Sequence, residues 1–427
     1  MSNAHPAPGG TGPLRDTVVL DLTQHLAGPY ATQILGDLGA RVIKVEPATG
    51  DPTRFIGPHF VDGDSAYYLS VNRNKESVCL DLKTDAGRDA LLRLARAADA
   101  VVENFRPGTM ERLGIGADVL LEANPRLVVC SLTGFGQDGP YRERPAFDMI
   151  VQALAGGMSL TGEIDGRPVR SGLPIGDLCA GMNAAIATLA GLMRAAREGT
   201  GSRVDVAMMD TQVSLLSYVA TYYLTSGFVP GRQGRRHMSI PTYRAFTCGD
   251  GKDIVVTANM PRMWTGLCRA LGLPDLPSDE RFTTNDARRD NITALYAELE
   301  PAARRFTSAE LLERLAEEGV PSAPINTIDA TLADPHVRAR GMVVEQHRGD
   351  GTVYAVGDPL KISDAREEYI VPPRLGADTG AVLRTLAGLD AAAVDALIET
   401  GAAGPSAPRD DARPDGTGTV PRAVPSD

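Results

Sequence analysis

The chain is poor in cysteine and in net positive charge, and it has no metal-binding pattern and no long hydrophobic run. Its five cysteines, Cys79, Cys130, Cys179, Cys248 and Cys268, are odd in number and widely spaced, with no CxxC pair. This excludes a disulfide framework and a zinc ribbon, and it points to a reducing cytoplasm. Basic residues number 43 against 54 acidic ones, a formal net charge of -11. Such a balance argues against non-specific attraction to nucleic acid or to an anionic membrane, so a polyanionic ligand requires a local basic patch. The six histidines show no metal-ligand spacing, and no metal is expected. No stretch of about 18 uncharged apolar residues occurs, and "MSNAHPAPGG" lacks the basic and apolar regions of a signal peptide. Neither a membrane span nor a leader is expected.

At 427 residues, 43% of them hydrophobic and 23% charged, the sequence has the balance of a soluble globular protein with two domains. Residues 1–13 and 401–427 are rich in Pro, Gly and Asp without apolar periodicity, which predicts disorder at both ends. Between them, short apolar strands such as "TVVLDL", "RVIKVE", "SVCLDL", "DAVVEN" and "RLVVCSL" alternate with helical stretches. One of these, "TDAGRDALLRLARAA", has Thr84 as its N-cap. The alternation predicts an α/β fold: a large Rossmann-like domain with a parallel sheet over residues 14–222. A linker at 223–233 and a smaller α+β domain at 234–330 follow, the latter with two strands around the "CGDGK" turn. Mixed structure at 331–400 completes the ordered part.

A Rossmann-like fold invites a nicotinamide reading, but "VVLDL" runs into "TQHLAGPYATQILG" without the G-x-G-x-x-G turn that a pyrophosphate needs. Glu46, at the end of "VIKVE", imitates a ribose-binding acid and is weak by itself. A more informative stretch is "LPIGDLCAGMNAAIATLAGLM", where Asp177 precedes a run of alanine, glycine and apolar residues. An aspartate there serves as a helix cap. It also suits a nucleophile, held ionised by the helix dipole, with room for a ligand beside Gly176, Ala180 and Gly181. The two readings are compatible.

Six stretches occur together in order: "VLDLTQHLAGPYATQILGDLGARVIKVEP", "NRNKESVCLDLKT", "VVENFRPGTMERLGIG", "SLTGFGQDGPY", "FDMIVQALAGGMSLTG" and "GDLCAGMNAAIATLAGLM". In that order and spacing the chain resembles the class III CoA-transferases, a family that includes formyl-CoA transferase, carnitine CoA-transferase and 2-methylacyl-CoA racemase. The resemblance runs from about residue 14 to residue 398. It implies an acyl-CoA and a small carboxylic acid as substrates, with coenzyme A entering as a thioester and no permanently bound cofactor. By the same resemblance Asp177 is the nucleophile, and Lys75, Asn104, Phe105 and Arg112 contact CoA, with Arg106 added by proximity. The resemblance also implies a C-terminal segment that returns to the large domain and an interlocked homodimer.

The backbone N–H groups of Gly134 and Gly136, in "TGFGQDG", are candidate donors to a developing oxyanion; the alternative is that these glycines only make a tight turn. The racemases of the family place a histidine immediately before the aspartate of the "FD" pair, where this chain has Phe147. A phenylalanine cannot move a proton, so transfer is favoured over racemisation; a non-catalytic acyl-CoA-binding protein is the other alternative. The sequence also departs from oxalate-using formyl-CoA transferases at "GDPTRFIG" and "GFVPGRQGRRHMS", which argues against oxalate as acceptor. His237, with Arg235 and Arg236, is a candidate for reading an acceptor carboxylate; a surface loop is the alternative.

Overall fold

The computed structural model describes residues 11–348, 351–363 and 369–404, and these divide into two compact units. Most of both expected disordered ends lies outside the described residues. The first unit comprises residues up to 157, 171–218 and 335 onward; the second comprises 158–170 and 219–334. Residues 158–170, which the sequence reading placed with the large domain, belong with the second unit. There Val169 N–H donates to Thr161 O, Gly234 N–H to Gly162 O, and Arg232 Nε to Glu163 O.

Six strands of the first unit form one parallel sheet: β1 (Val18–Asp21), β2 (Arg41–Glu46), β3 (Lys75–Cys79), β4 (Ala100–Glu103), β5 (Val128–Thr133) and β6 (Ser202–Ala207). Their order is β3-β2-β1-β4-β5-β6. Successive side chains leave a strand on opposite faces, and here both faces are covered, so β1, β4 and β5 read as nearly unbroken apolar runs, while β2 buries Lys44 and Glu46 beside its apolar residues. Leu20, Ile43, Val101 and Val129 pack with Leu91 and Leu94 of α2 (Asp85–Arg96). Their neighbours Val19, Val42, Val102 and Val128 face α1 (Ala27–Asp37) and the helix that carries Asp177. Thr84 caps α2 as expected, its hydroxyl accepting from Gly87 N–H at 3.0 Å.

The helix that carries Asp177, α4 (Ile175–Glu198), follows the short α3 (Asp148–Leu154). It is long and apolar enough to cross a membrane by length and composition. Its small residues serve close packing instead: Ala180 and Ala184 are fully buried, and a Cβ on Gly181 would lie 2.5 Å from Ala27 O of α1.

The second unit is an α+β body with its own core. An antiparallel sheet pairs β7 (Tyr243–Thr247) with β8 (Asp253–Thr257) and β8 with β9 (Ser322–Pro324). Phe246, Ile254, Val256, Trp264 and Phe282 fill its interior with Leu299 and Leu315. The Cys248–Lys252 turn closes through Cys248 N–H to Lys252 O at 2.8 Å.

Beyond the second unit the chain rejoins the first. Asp378 Oδ2 accepts from Ser77 N–H of β3 at 2.8 Å, and Val382, Leu383 and Val394 enter the core beneath the sheet. Composition places the start of the disordered tail at residue 401. Residues 401–404 are ordered because they continue this pairing: Asp81 N–H donates to Ala402 O and Gly404 N–H to Cys79 O.

The carboxyl side of the sheet encloses a dense charge network. Asp21, at the end of β1, is fully buried and bonded to Lys75 Nζ at 2.9 Å and to the Thr32 hydroxyl at 2.7 Å. Burial works to raise its carboxyl, but Lys75 and Lys44 outweigh it and hold the group well below the usual carboxylate range. Removing Lys75 leaves that charge without its direct ion partner. Lys75→Ala is expected to cost about 3–5 kcal/mol, read as a lower urea midpoint with an unchanged m-value.

Candidate active site

In a sheet of this order, β1 and β4 are the neighbours from which the chain departs in opposite directions. The crevice beyond their carboxyl ends is where open α/β sheets take ligands. Asn104 closes the base of that crevice. Its amide donates to Gln24 O at 2.7 Å and its carbonyl accepts from Gln24 N–H at 2.8 Å, fastening the loop after β1 to the end of β4. Phe105 is half-buried against the core, and its N–H donates to Glu103 Oε2 at 2.8 Å. Burial pushes the Glu103 carboxyl up to about 7.

The expected phosphate-binding cations divide into two kinds. Arg106 and Arg112 are exposed at the protein surface, Arg112 bonded to the Thr109 hydroxyl at 2.8 Å. Arg142, which the sequence reading did not single out, joins them. A Cβ on Gly108 would lie 3.1 Å from Arg112 Nη1 and 3.7 Å from Arg142 Nη2. Lys75 is different. Its Nζ donates to Asp21, to Pro29 O and to Asn72 Oδ1, each at 2.9 Å, and its side chain is wholly buried. Burial pulls its ammonium down to about 8 despite Asp21. With all three donors spent on the protein's own groups, it supports the end of β1 and has none to give a phosphate.

Asp177 lies in the first turn of α4, half-buried, and it is not the cap. That role falls to Asp148, the first residue of α3, whose Oδ1 accepts from Gly176 N–H at 2.7 Å and from Asp177 N–H at 3.4 Å. Gln152 Nε2 holds the other Asp148 oxygen at 2.7 Å. The Asp177 carboxyl is thereby released from local backbone duty. Burial, reinforced by the Asp148 charge, pushes it up to about 7. Desolvation thus acts against the helix dipole, favouring the protonated acid. Tyr67, half-buried, is driven up to about 12 by burial and then by the charges of Asp177, Asp51 and Asp148, so its hydroxyl keeps its proton.

Gly176 is a packing requirement of this clamp. A Cβ there would stand 2.8 Å from Asp148 Oδ1. Gly176→Ala is expected to displace Asp148 and lower kcat/KM about 10–100-fold, the effect of a small misplacement at a reacting group. Steady-state kinetics at saturating acyl-CoA checks it.

Gly136 has φ +92°, and its N–H donates to the Thr133 hydroxyl at 2.9 Å, so it is a turn residue and not a free oxyanion donor. Gly134 is required by packing, since a Cβ would come within 2.1 Å of Ala146 Cβ. Phe147 is 67% exposed, outside any core, with its ring edge-on to His25 at a centroid distance of 6.1 Å. His237 lies in the second unit, stacked on Tyr243, with Nδ1 accepting from Ser239 N–H at 3.1 Å. Arg235 is held by Asp253 at 2.6 Å.

Sequence reasoning missed Asp148, Tyr67 and Arg142. Asp148 was visible as the residue after Phe147, but a carboxylate that caps a different helix leaves no local signature.

The sequence pattern of CoA-transferase family III matches residues 14–379. The succinate–glutarate CoA-transferase of Agrobacterium fabrum is 39% identical over 388 residues, covering 89% of this chain and 97% of its own. The acetyl-CoA:oxalate CoA-transferase of Acetobacter aceti is 39% identical over 377 residues, covering 87% and 95%. Among solved structures, a CAIB/BAIF family protein from Brucella suis superposes with a TM-score of 0.79 at 38% identity, covering 88% of this chain and 100% of its own.

Proposed function

Because the chain belongs to CoA-transferase family III, we propose that it moves CoA from an acyl-CoA donor to a small carboxylic acid by way of a covalent intermediate on Asp177. The observation that carries this reading is a half-buried carboxylate at the start of α4, freed from capping by Asp148. A carboxylate is a poor nucleophile in water, and partial desolvation with a fixed approach improves it. The ionised Asp177 attacks the thioester carbonyl, forming an aspartyl-acyl anhydride and releasing CoA thiolate. The thiolate attacks the aspartyl carbonyl, giving an enzyme–CoA thioester and the first free acid. A second carboxylate then reverses both steps and leaves as the new acyl-CoA. The acyl activation is conserved throughout, so the cycle needs no permanently bound cofactor. The Tyr67 hydroxyl keeps its proton within the field of Asp177.

The acidic chain gathers positive charge where the CoA phosphates would lie, at Arg106 and Arg112 with Arg142 beside them. Asn104, Phe105 and Lys75 shape that surface from beneath. The relatives' names carry glutarate and oxalate, which supports a short dicarboxylic acid as acceptor here. Five free cysteines support a reducing compartment, the cytoplasm. Met182, Ile186 and Met193 are exposed on α4, and this uncovered apolar face supports a homodimer. Light scattering is expected to return twice the chain mass of 45.2 kDa.

The test is incubation with a panel of acyl-CoAs and carboxylic acids, oxalate included, read by mass spectrometry for new thioesters. Transfer to at least one acid supports the reading. Exchange of the α-hydrogen of a 2-methylacyl-CoA with solvent deuterium, without any acceptor, would instead show a racemase.

A further inference from the structure

Gln24 and His25 connect the end of β1 to α1, at the crevice between β1 and β4. The backbone of His25 has φ +68°, a left-handed conformation that residues with a Cβ rarely adopt. The conformation is imposed from several sides. Asn104 clamps both backbone groups of Gln24, Lys44 Nζ donates to Thr23 O at 2.8 Å, and His25 N–H points to Asp51 Oδ1 at 3.4 Å. Strain of this kind persists where surrounding structure over-determines it, and it concentrates at ligand sites.

The forced backbone holds the imidazole against Phe147, whose chain neighbour Asp148 clamps the backbone of Asp177. The His25 ring is half-buried, and among the described residues neither ring nitrogen has a hydrogen-bond partner. Asp51 faces the backbone N–H of His25, and the charges of Asp177, Asp51 and Asp148 act together on Tyr67. The ammonium groups of Lys44 and Lys75 are fully buried and bonded to the protein's own groups. A carboxylic acid approaching Asp177 meets several carboxylates, and it requires a donor on that wall.

We infer that His25 is a specificity-determining residue: its imidazole N–H binds the far carboxylate of a dicarboxylic acid whose near carboxylate reacts at Asp177. The inference rests on the transferase reading with a dicarboxylic acceptor and adds the residue that selects that acceptor. The contacts that join His25 to Asp177 run through Phe147 and Asp148, and in this assignment the imidazole takes the remote end of a short diacid while Asp177 takes the reacting carbon. Asp177 supplies the chemistry and His25 the discrimination.

The experiment compares glutarate with valerate, diacid and monoacid of equal carbon count, using one acyl-CoA donor and the full-length enzyme. His25→Gly removes the ring while suiting the left-handed backbone, so the fold is kept. It is expected to raise KM for glutarate about 10–100-fold, the loss of one buried hydrogen bond to a charged group. KM for valerate and for acyl-CoA is expected to change less than about threefold. His25→Gln, which keeps a neutral donor, is expected to recover much of the glutarate affinity. Parallel losses for both acids, an unchanged glutarate KM in His25→Gly, or a wild-type enzyme indifferent between the two acids would each overturn the inference. Absence of transfer to any acid defeats the transferase reading itself, whereas transfer without diacid preference defeats only the role of His25.

Discussion

Replacing Asp177 by alanine is expected to lower kcat for CoA transfer by on the order of 10⁴-fold or more, with acyl-CoA binding little changed. The size follows from the mechanism, since the side chain is a covalent participant and no second carboxylate can substitute for it. Both oxygens of Asp148 are already engaged, one by Gly176 N–H and the other by Gln152 Nε2. Isothermal titration with acyl-CoA beside single-turnover kinetics separates binding from chemistry. Asp177→Asn adds a stability signature that reports the desolvation of this carboxyl. The folded state raises this carboxyl to about 7, so between the ordinary carboxylate range and pH 7 it binds more protons than the unfolded chain. That contribution to stability is present at low pH and is lost as pH rises through the window. Asp177→Asn is therefore expected to be more stable than wild type at pH 8, with the difference fading toward pH 4 in urea titrations.

The second large effect concerns Asp148 and pH. Only ionised Asp177 attacks a thioester, so kcat/KM is expected to rise with pH and reach half its plateau near 7. Tyr67, held up to about 12, stays protonated across that range and does not blur the profile. Asp148→Asn keeps an oxygen for Gly176 N–H but removes the like charge. Its profile is expected to move down by about one pH unit, because the charge is the lesser cause and burial remains. Asp148→Ala loses charge and clamp together and is expected to lower the plateau itself by about 10²-fold. A shifted midpoint in one variant and a lost plateau in the other separate electrostatics from positioning.

The sheet was legible because its strands are short apolar runs separated by helical stretches of matching length, and a core covered on two faces leaves little freedom in how such runs assemble. Asp177 was legible as a carboxylate heading a small-residue helix. Its release from capping was not, because the group that replaces it comes from residue 148, 29 positions away from Asp177. Lys75 shows the opposite failure. A lysine in "NRNK" is read as a surface cation, and only the tertiary placement of Asp21 and Pro29 shows that its three donors turn inward. Residues 401–404 and 158–170 escaped for a related reason: each is ordered by backbone pairing with a distant segment, which composition does not encode. His25 carries no pattern at all, and its backbone conformation and its ring partner Phe147 distinguish it only once the chain is folded.

The central claim is that the carboxylate at the start of α4 becomes acylated during turnover. Quenching the enzyme with hydroxylamine or borohydride in the presence of a thioester it turns over, then measuring the mass of the peptide containing residue 177, tests this directly. The account predicts a hydroxamate or a reduced side chain at Asp177 that is absent without thioester. Turnover accompanied by an unmodified peptide would contradict it.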